Sequence, residues 1–358
     1  MKKILPLILF AIALSSFAQT DSTENPFSVS GYLETYYAYD FGNPADHNRP
    51  KFVYSHNRHN EVNLNLGFIK TAYQTGKIRT SLAIMAGTYA IANLAAEPGV
   101  LRNIFEANAG IKISKSKNLW VDAGVFASHL GFESTIGKDC WNLTRSILAD
   151  NSPYYESGVK ISYTNDNEKW FISGLVLNGW QRIQRVAGSN TPAFGHQLTF
   201  KPNPKVMLNS SSFIGSDTPD STRQMRYFHN FYGQFQLTEK IGITIGFDMG
   251  TQQQSKRSSS YNIWYSPIVI VKYSPIEKVT IAARGEYYND INGVIINTGT
   301  VNGFQTYGYS VNLDYQIMKN AVWRIEGRGF TSKDKIFTLG NQTSLQNFFV
   351  ITALAISF

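Results

Sequence analysis

The chain is nearly free of cysteine. Its one thiol, Cys140, has no intramolecular partner, which excludes a small secreted domain stapled by disulfides. Long hydrophobic runs are missing too. The one continuous apolar run, Ile4 to Leu14, is only 11 residues, whereas a membrane helix takes about 20. It follows Lys2 and Lys3 and precedes Ser16-Phe17-Ala18, a small-x-small site before Gln19. Residues 1–18 therefore read as a secretory signal peptide cut between Ala18 and Gln19, leaving 19–358 as a single unit. No Cys follows that cut, which argues against a lipid anchor. Phosphate loops and dinucleotide fingerprints are absent, and no separate N-terminal domain is present to plug a larger transporter. The formal charge is +8, or +6 without Lys2 and Lys3, and it is scattered rather than gathered in one patch. That argues against nucleic acid as a partner.

Aromatics are plentiful: 20 Tyr, 23 Phe and 6 Trp, in a chain that is 43% hydrophobic with slightly negative mean hydropathy. This is too polar for a bundle of membrane helices. It suits a barrel in which every second strand residue meets lipid and rings collect at the interfaces. The stretch from Phe348 to Phe358 puts Phe348, Val350, Thr352, Leu354, Ile356 and Phe358 on one face. Phe349, Ile351, Ala353, Ala355 and Ser357 fall on the other. By analogy with outer-membrane barrels, a last strand ending on an aromatic pairs with the first, and Phe358 is the expected assembly signal.

Alternation and punctuation give sixteen strands, at 27–40, 60–74, 78–91, 101–114, 118–130, 154–164, 169–180, 193–201, 205–216, 225–238, 241–253, 261–274, 278–289, 304–317, 321–332 and 346–358. Short gaps such as Thr75-Gly76-Lys77 and Glu239-Lys240 alternate with long ones such as 41–59 and 131–153. Seven turns and eight loops are what sixteen up-and-down strands require. The expected fold is all-β: a transmembrane antiparallel up-and-down β-barrel. Val62, Leu64, Leu66 and Phe68 form one apolar face, as do Ile241, Ile243, Ile245, Phe247 and Met249. The opposite faces collect charges of both signs, including Glu106, Asp122, Lys160, Arg226, Arg284, Glu286, Arg324, Glu326 and Arg328. A packed interior would not tolerate these, but a solvated lumen of about sixteen strands does. Strands 169–180 and 261–274 are apolar on both faces, so their inward side is open.

The run Phe52-Val53-Tyr54-Ser55-His56-Asn57-Arg58-His59-Asn60-Glu61 resembles the OmpL-like outer-membrane β-barrel porin family. So do Gly31-Tyr32-Leu33-Glu34-Thr35-Tyr36-Tyr37 and the segment Ile136-Gly137-Lys138-Asp139-Cys140-Trp141-Asn142-Leu143-Thr144-Arg145-Ser146 with Ala149-Asp150-Asn151-Ser152-Pro153. The likeness covers essentially the whole mature chain. It implies a porin fold in the outer membrane of a Gram-negative-type bacterium and says little about the solute.

Chemistry-bearing motifs are sparse. His56 and His59 are three apart, which places them on opposite faces of an extended chain, so no metal is expected. Ser128-His129 and Asp139 lack the His-x-Ser-Asn-Gly stretch of outer-membrane phospholipases, and adjacent strand residues point apart, so no enzyme and no cofactor are expected. Loop 131–153 is the longest and contains apolar residues that need a surface. Ile136, Cys140, Leu143 and Ile147 follow helical spacing and predict a short amphipathic helix on the inner wall. In general porins, which this architecture resembles, the third loop sets the constriction. That implies Lys138, Asp139 and Arg145 at the narrowing, with Glu106, Arg226, Arg284, Glu286, Arg324 and Arg328 lining the pore. The expected function is passive diffusion of small hydrophilic solutes. The alternatives are a substrate-selective channel and a surface-binding or structural barrel without transport. Expected partners are outer-membrane lipids, the barrel assembly machinery and those solutes, with homo-oligomerisation left open.

Overall fold

The structure, a computed structural model, describes residues 25–358, and the expected signal peptide with its expected Ala18/Gln19 cut lies outside the described residues. The strands are β1 (Phe27–Asp40), β2 (Val62–Gln74), β3 (Ile78–Ala86), β4 (Ile104–Lys112), β5 (Asn118–Ala127), β6 (Tyr155–Thr164), β7 (Trp170–Leu177), β8 (Ala193–Asn203) and β9 (Val206–Gly215). They continue as β10 (Arg226–Gln236), β11 (Ile241–Gln253), β12 (Tyr261–Ile276), β13 (Val279–Asp290), β14 (Phe304–Met318), β15 (Ala321–Ser332), β16 (Phe337–Leu339), β17 (Gln342–Ser344) and β18 (Gln346–Ser357). All but β16 and β17 close into one antiparallel barrel, in which β18 pairs with both β15 and β1. At the seam the Phe358 N–H donates to the Gly31 carbonyl at 3.0 Å, and the Gly31 N–H donates back at 2.8 Å. Closure leaves no edge whose backbone groups would be stranded in lipid. The small hairpin β16–β17 lies in the last long loop.

The outer surface carries two aromatic girdles. Phe27, Trp170, Tyr273, Tyr315, Trp323 and Phe358 are exposed near the turn side, and Tyr39, Phe41, Tyr227, Tyr261, Tyr265 and Tyr307 near the loop side. Between them run apolar residues such as Ile245, Val269 and Val311. This is the pattern of a barrel seated in a bilayer, with short turns on one side and long loops on the other.

The inner faces of the two ambiguous strands are now assigned. Ser173, Leu175 and Leu177 point inward on β7, and Trp264, Ser266, Ile268 and Ile270 on β12. On β2 the alternation changes phase. Pairing with β1 steps from Glu34↔Leu66 to Thr35↔Leu64, so Asn65 is a bulge. Val62 stays outward at 78% exposure, whereas Leu66 is 0% exposed and Ile69 takes the outward place. One extra residue flips every later side chain to the other face, so Leu66 and Phe68 face inward, not toward lipid as the unbroken alternation implied. The third and fourth strands are shorter than the sequence suggested, because α1 (Thr88–Asn93) and a 3-10 turn (Gly99–Asn103) occupy their loop ends.

Candidate functional site

Loop 131–153 enters the barrel. Every residue from Asn142 to Ser157 is buried, though only β6 at its far end belongs to the wall. The amphipathic helix expected here does not form. A 3-10 turn (Gly137–Asp139) and one helical turn, α2 (Ile147–Asp150), flank an irregular stretch. The reason lies in where the backbone finds its partners. The Leu143 N–H donates to Asn312 (3.1 Å), the Thr144 N–H to Glu326 (2.6 Å) and the Ile147 N–H to Glu286 (2.6 Å). The carbonyls of Cys140, Thr144 and Arg145 accept from Arg324 (2.8 Å), Arg284 (2.8 Å) and Arg328 (2.6 Å). Side chains of β13, β14 and β15 thus satisfy backbone groups that a helix would have satisfied internally. Gly137 crosses the inner face of β1 where a Cβ would collide with the Glu34 carboxylate.

The same contacts relocate most of the charges assigned to the pore. Arg284, Glu286, Arg324 and Arg328 are on the inner face but lie beneath the loop, at most 5% exposed; Arg284, Glu286 and Arg328 form a network with Glu326, and Arg324 pairs with Asp314. Arg145 is buried as well. Its guanidinium donates to the carbonyls of Ser134, Leu143 and Thr135, which ties the loop to itself rather than meeting solvent. Arg226 is held by Asp217 and stacked near Trp180. Lys138 and Asp139 remain exposed at the turn-side mouth, paired with each other at 2.8 Å. Burial pushes the Cys140 thiol up and raises Asp150 to about 6.

Loop 41–61 also dips inward. His56 Nε2 lies 2.7 Å from Glu34, its N–H donates to Asn65, and Ser55 hydrogen-bonds Asp150 of α2. His59 is engaged elsewhere, accepting from the Asp40 N–H at 2.9 Å. Above them Phe52 packs on Phe304, Phe330 and Phe337. A cavity of about 520 Å³ opens at this loop-side mouth, lined in part by Asp46, Arg49, Lys51 and Lys335.

The opposite wall is different. Across β3–β7 a cavity of about 340 Å³ remains, bounded by Arg79, Glu106, Trp120, Asp122, Phe126 and Lys160. Arg79 clasps Asp122 with two bonds of 2.6 and 2.5 Å, and Lys70 pairs with Glu106 at 2.6 Å. These pairs retain contact with water: Lys70 and Arg79 are about one third exposed.

A family model described as "Putative beta-barrel porin-2, OmpL-like" matches residues 26–358. The chain belongs to that family. Among solved structures, an anion-selective porin from Comamonas acidovorans superposes with a TM-score of 0.61 at 6% identity, covering 93% of this chain and 99% of that one. The outer membrane channel DcaP of Acinetobacter baumannii gives 0.58 at 10% identity (93% and 97% covered), and Salmonella typhi OmpF in complex with daunomycin gives 0.58 at 8% (93% and 97%). At such identities the likeness speaks for the fold alone. No curated protein matches the chain by sequence. Membership of a β-barrel porin family makes this a bacterial outer-membrane barrel.

Of the residues expected at the pore of this OmpL-like barrel, only Glu106, Lys138 and Asp139 keep access to water. Lys70, Arg79 and Trp120 were missed. Asp122 and Lys160 stood out as inward charges, but nothing in the pattern tells an inward charge that a loop will cover from one that it will leave wet.

Proposed function

We propose that the barrel is a channel for passive diffusion of small hydrophilic solutes, rather than an enzyme, and that loop 131–153 sets its narrowest passage. The observation that carries this is the asymmetry of the lumen. The buried loop is fixed to β13–β15, and the open cavity with its Arg79–Asp122 and Lys70–Glu106 pairs lies across β3–β7. Charged side chains beside a narrow aqueous passage sort ions and polar solutes at close range. Reconstitution into planar bilayers should give discrete conductance steps. A correctly folded barrel that never conducts would end this reading in favour of a structural or surface-binding role.

We also propose that copies of the barrel assemble through the outer face of β8–β10. There His196, Ser212 and His229 stand side by side in register, with Ser210 one row below, inside the apolar belt. Ser212 Oγ lies 2.5 Å from His196 Nδ1, and Ser210 Oγ lies 2.9 Å from His229 Nε2. Among the described residues neither imidazole has a third group on its other nitrogen, so the pairs lack the orienting partner of a hydrolytic triad. Ionisable groups facing lipid are costly. A second copy covering this face would remove that cost, and one structural neighbour, an in-vitro folded OmpT of Vibrio cholerae, is titled a trimer form. Ser212→Cys should cross-link between copies in native membranes; monomers that never cross-link would place the contact elsewhere.

A further inference from the structure

At the turn-side mouth one indole ring stands among unpaired ammonium groups. Trp141 projects from the inward loop until its edge meets β11, where a Cβ on Gly242 would lie 3.0 Å from the ring. The absent side chain makes room for the indole. From β12, Lys272 holds its Nζ 4.7 Å from the ring centroid. Trp141 is half-buried and borders two cavities at once. One, of about 370 Å³, includes Lys272, Lys278 and Lys319. The other, of about 620 Å³, includes Lys169, Lys201 and Lys205.

The acids nearby do not balance these charges. Asp139 is engaged by Lys138 at 2.8 Å and Asp314 by Arg324 at 2.6 Å. Glu168 and Glu277, on the turns, are the remaining carboxylates at the two cavities. Among the described residues none of the six lysines forms a salt bridge. A mouth with low-dielectric walls focuses such an excess of one sign and raises the local concentration of the opposite one.

We propose that this mouth is a binding subsite for small organic anions with a planar apolar part, such as aromatic carboxylates. The ammonium groups of Lys272 and Lys201 attract the carboxylate, and the indole of Trp141 takes the ring. The proposal names a substrate class for the channel reading above, but binding at the subsite does not depend on conduction.

Calorimetric titration of the detergent-folded barrel with benzoate, and with benzylamine as a cation of similar shape, tests it. Benzoate should bind and benzylamine should not. Trp141→Ala should weaken benzoate about fivefold, and the double variant Lys201→Glu with Lys272→Glu should abolish binding. In bilayers under a KCl gradient, that double variant should lower the chloride-to-potassium permeability ratio by about threefold. An unchanged difference in gel migration between boiled and unboiled samples checks that each variant folds. A wild-type barrel that binds no benzoate, or binds benzylamine equally well, overturns the subsite even if it conducts. A silent barrel that still binds benzoate in the manner described supports the subsite and refutes the channel reading alone.

Discussion

Two stretches of the inner wall begin from the same kind of sequence and end in opposite environments. On β13–β15 the inward positions carry Arg284, Glu286, Arg324, Glu326 and Arg328; on β3–β6 they carry Arg79, Glu106, Asp122 and Lys160. The first set is dry and serves as the anchorage of a loop. The second borders a cavity. In the dry set an ion pair has lost its water on both sides, and the attraction between partners is helped to offset that loss by loop backbone groups bonded to Arg284, Glu286, Glu326 and Arg328. In the wet set Arg79 and Lys70 stay about one third exposed, so water reaches the cationic side of each pair, screens it and lowers its contribution to stability. Inward charges of both signs therefore act differently on the two walls, and the loop lying across one of them makes the difference.

The largest way to break the contrast is to remove the loop. Deleting residues 134–148 should leave a barrel that migrates as folded and raise single-channel conductance at least about twofold, because the charged face of β13–β15 then joins the lumen. Wild-type conductance from a folded deletion variant would show that the narrowing lies elsewhere. Arg145→Glu separates two roles of that residue. A pore-facing arginine would give a shift in ion selectivity, whereas the buried one seen here should release the loop and raise conductance as the deletion does.

One carboxylate on each wall carries the same contrast. Glu326 accepts from the Thr144 N–H at 2.6 Å, the Thr144 hydroxyl at 2.9 Å and Arg284 at 3.0 Å. Glu326→Ala leaves the buried Thr144 N–H without its acceptor and takes one of two close carboxylates from Arg284, which keeps Glu286 at 3.3 Å, and should destabilise the docked loop by about 3 kcal/mol. Glu106→Ala, which breaks a pair with partial access to water, should cost about 0–1 kcal/mol. Protection of loop amides in hydrogen exchange measures both, and equal losses would erase the distinction between the walls. In ion selectivity the effect should appear on the wet wall instead. Asp122→Asn frees Arg79 in the open cavity and should raise anion over cation permeability by about twofold, read from reversal potentials.

The fold was legible because its signals are local. The short-long rhythm of turns and loops and the outward series on β11 and β14 follow from period-two alternation. What escaped depends on contacts far apart in sequence. The Asn65 bulge leaves no mark in the apolar pattern of β2, since Leu66 and Phe68 look like lipid-facing residues until pairing with β1 is known. Helical spacing in loop 131–153 was overridden by Glu326, Arg284 and Arg324, more than a hundred residues downstream. Arg284, Arg324 and Arg328, expected at the pore, stand on inward positions of the wall, but only the folded loop shows that they are covered.

The smallest expected effect concerns the second inward loop and its histidine. Burial holds His56 below its ordinary value of 6.5, with Arg145 and Arg49 acting in the same direction and Glu34 opposing them. A lowered value in the docked state means that the released loop binds more protons between that value and 6.5. Docking is then fully favoured above pH 6.5 and weakens as the pH falls toward the docked value, by at most about 1.4 kcal/mol per pH unit. Protonation also removes the unpaired Nδ1 as a tolerated neutral nitrogen, since among the described residues nothing stands ready to accept from it. Hydrogen exchange over residues 53–59, corrected for the intrinsic rate, should show less protection at pH 5.5 than at pH 7.5. His56→Gln should flatten that difference while leaving loop 131–153 protected by its own wall contacts. If wild type shows no pH difference in loop 41–61, or if the glutamine variant keeps it, then His56 does not govern docking, and the contact between Ser55 and Asp150 becomes the place to look for what holds this loop in the lumen.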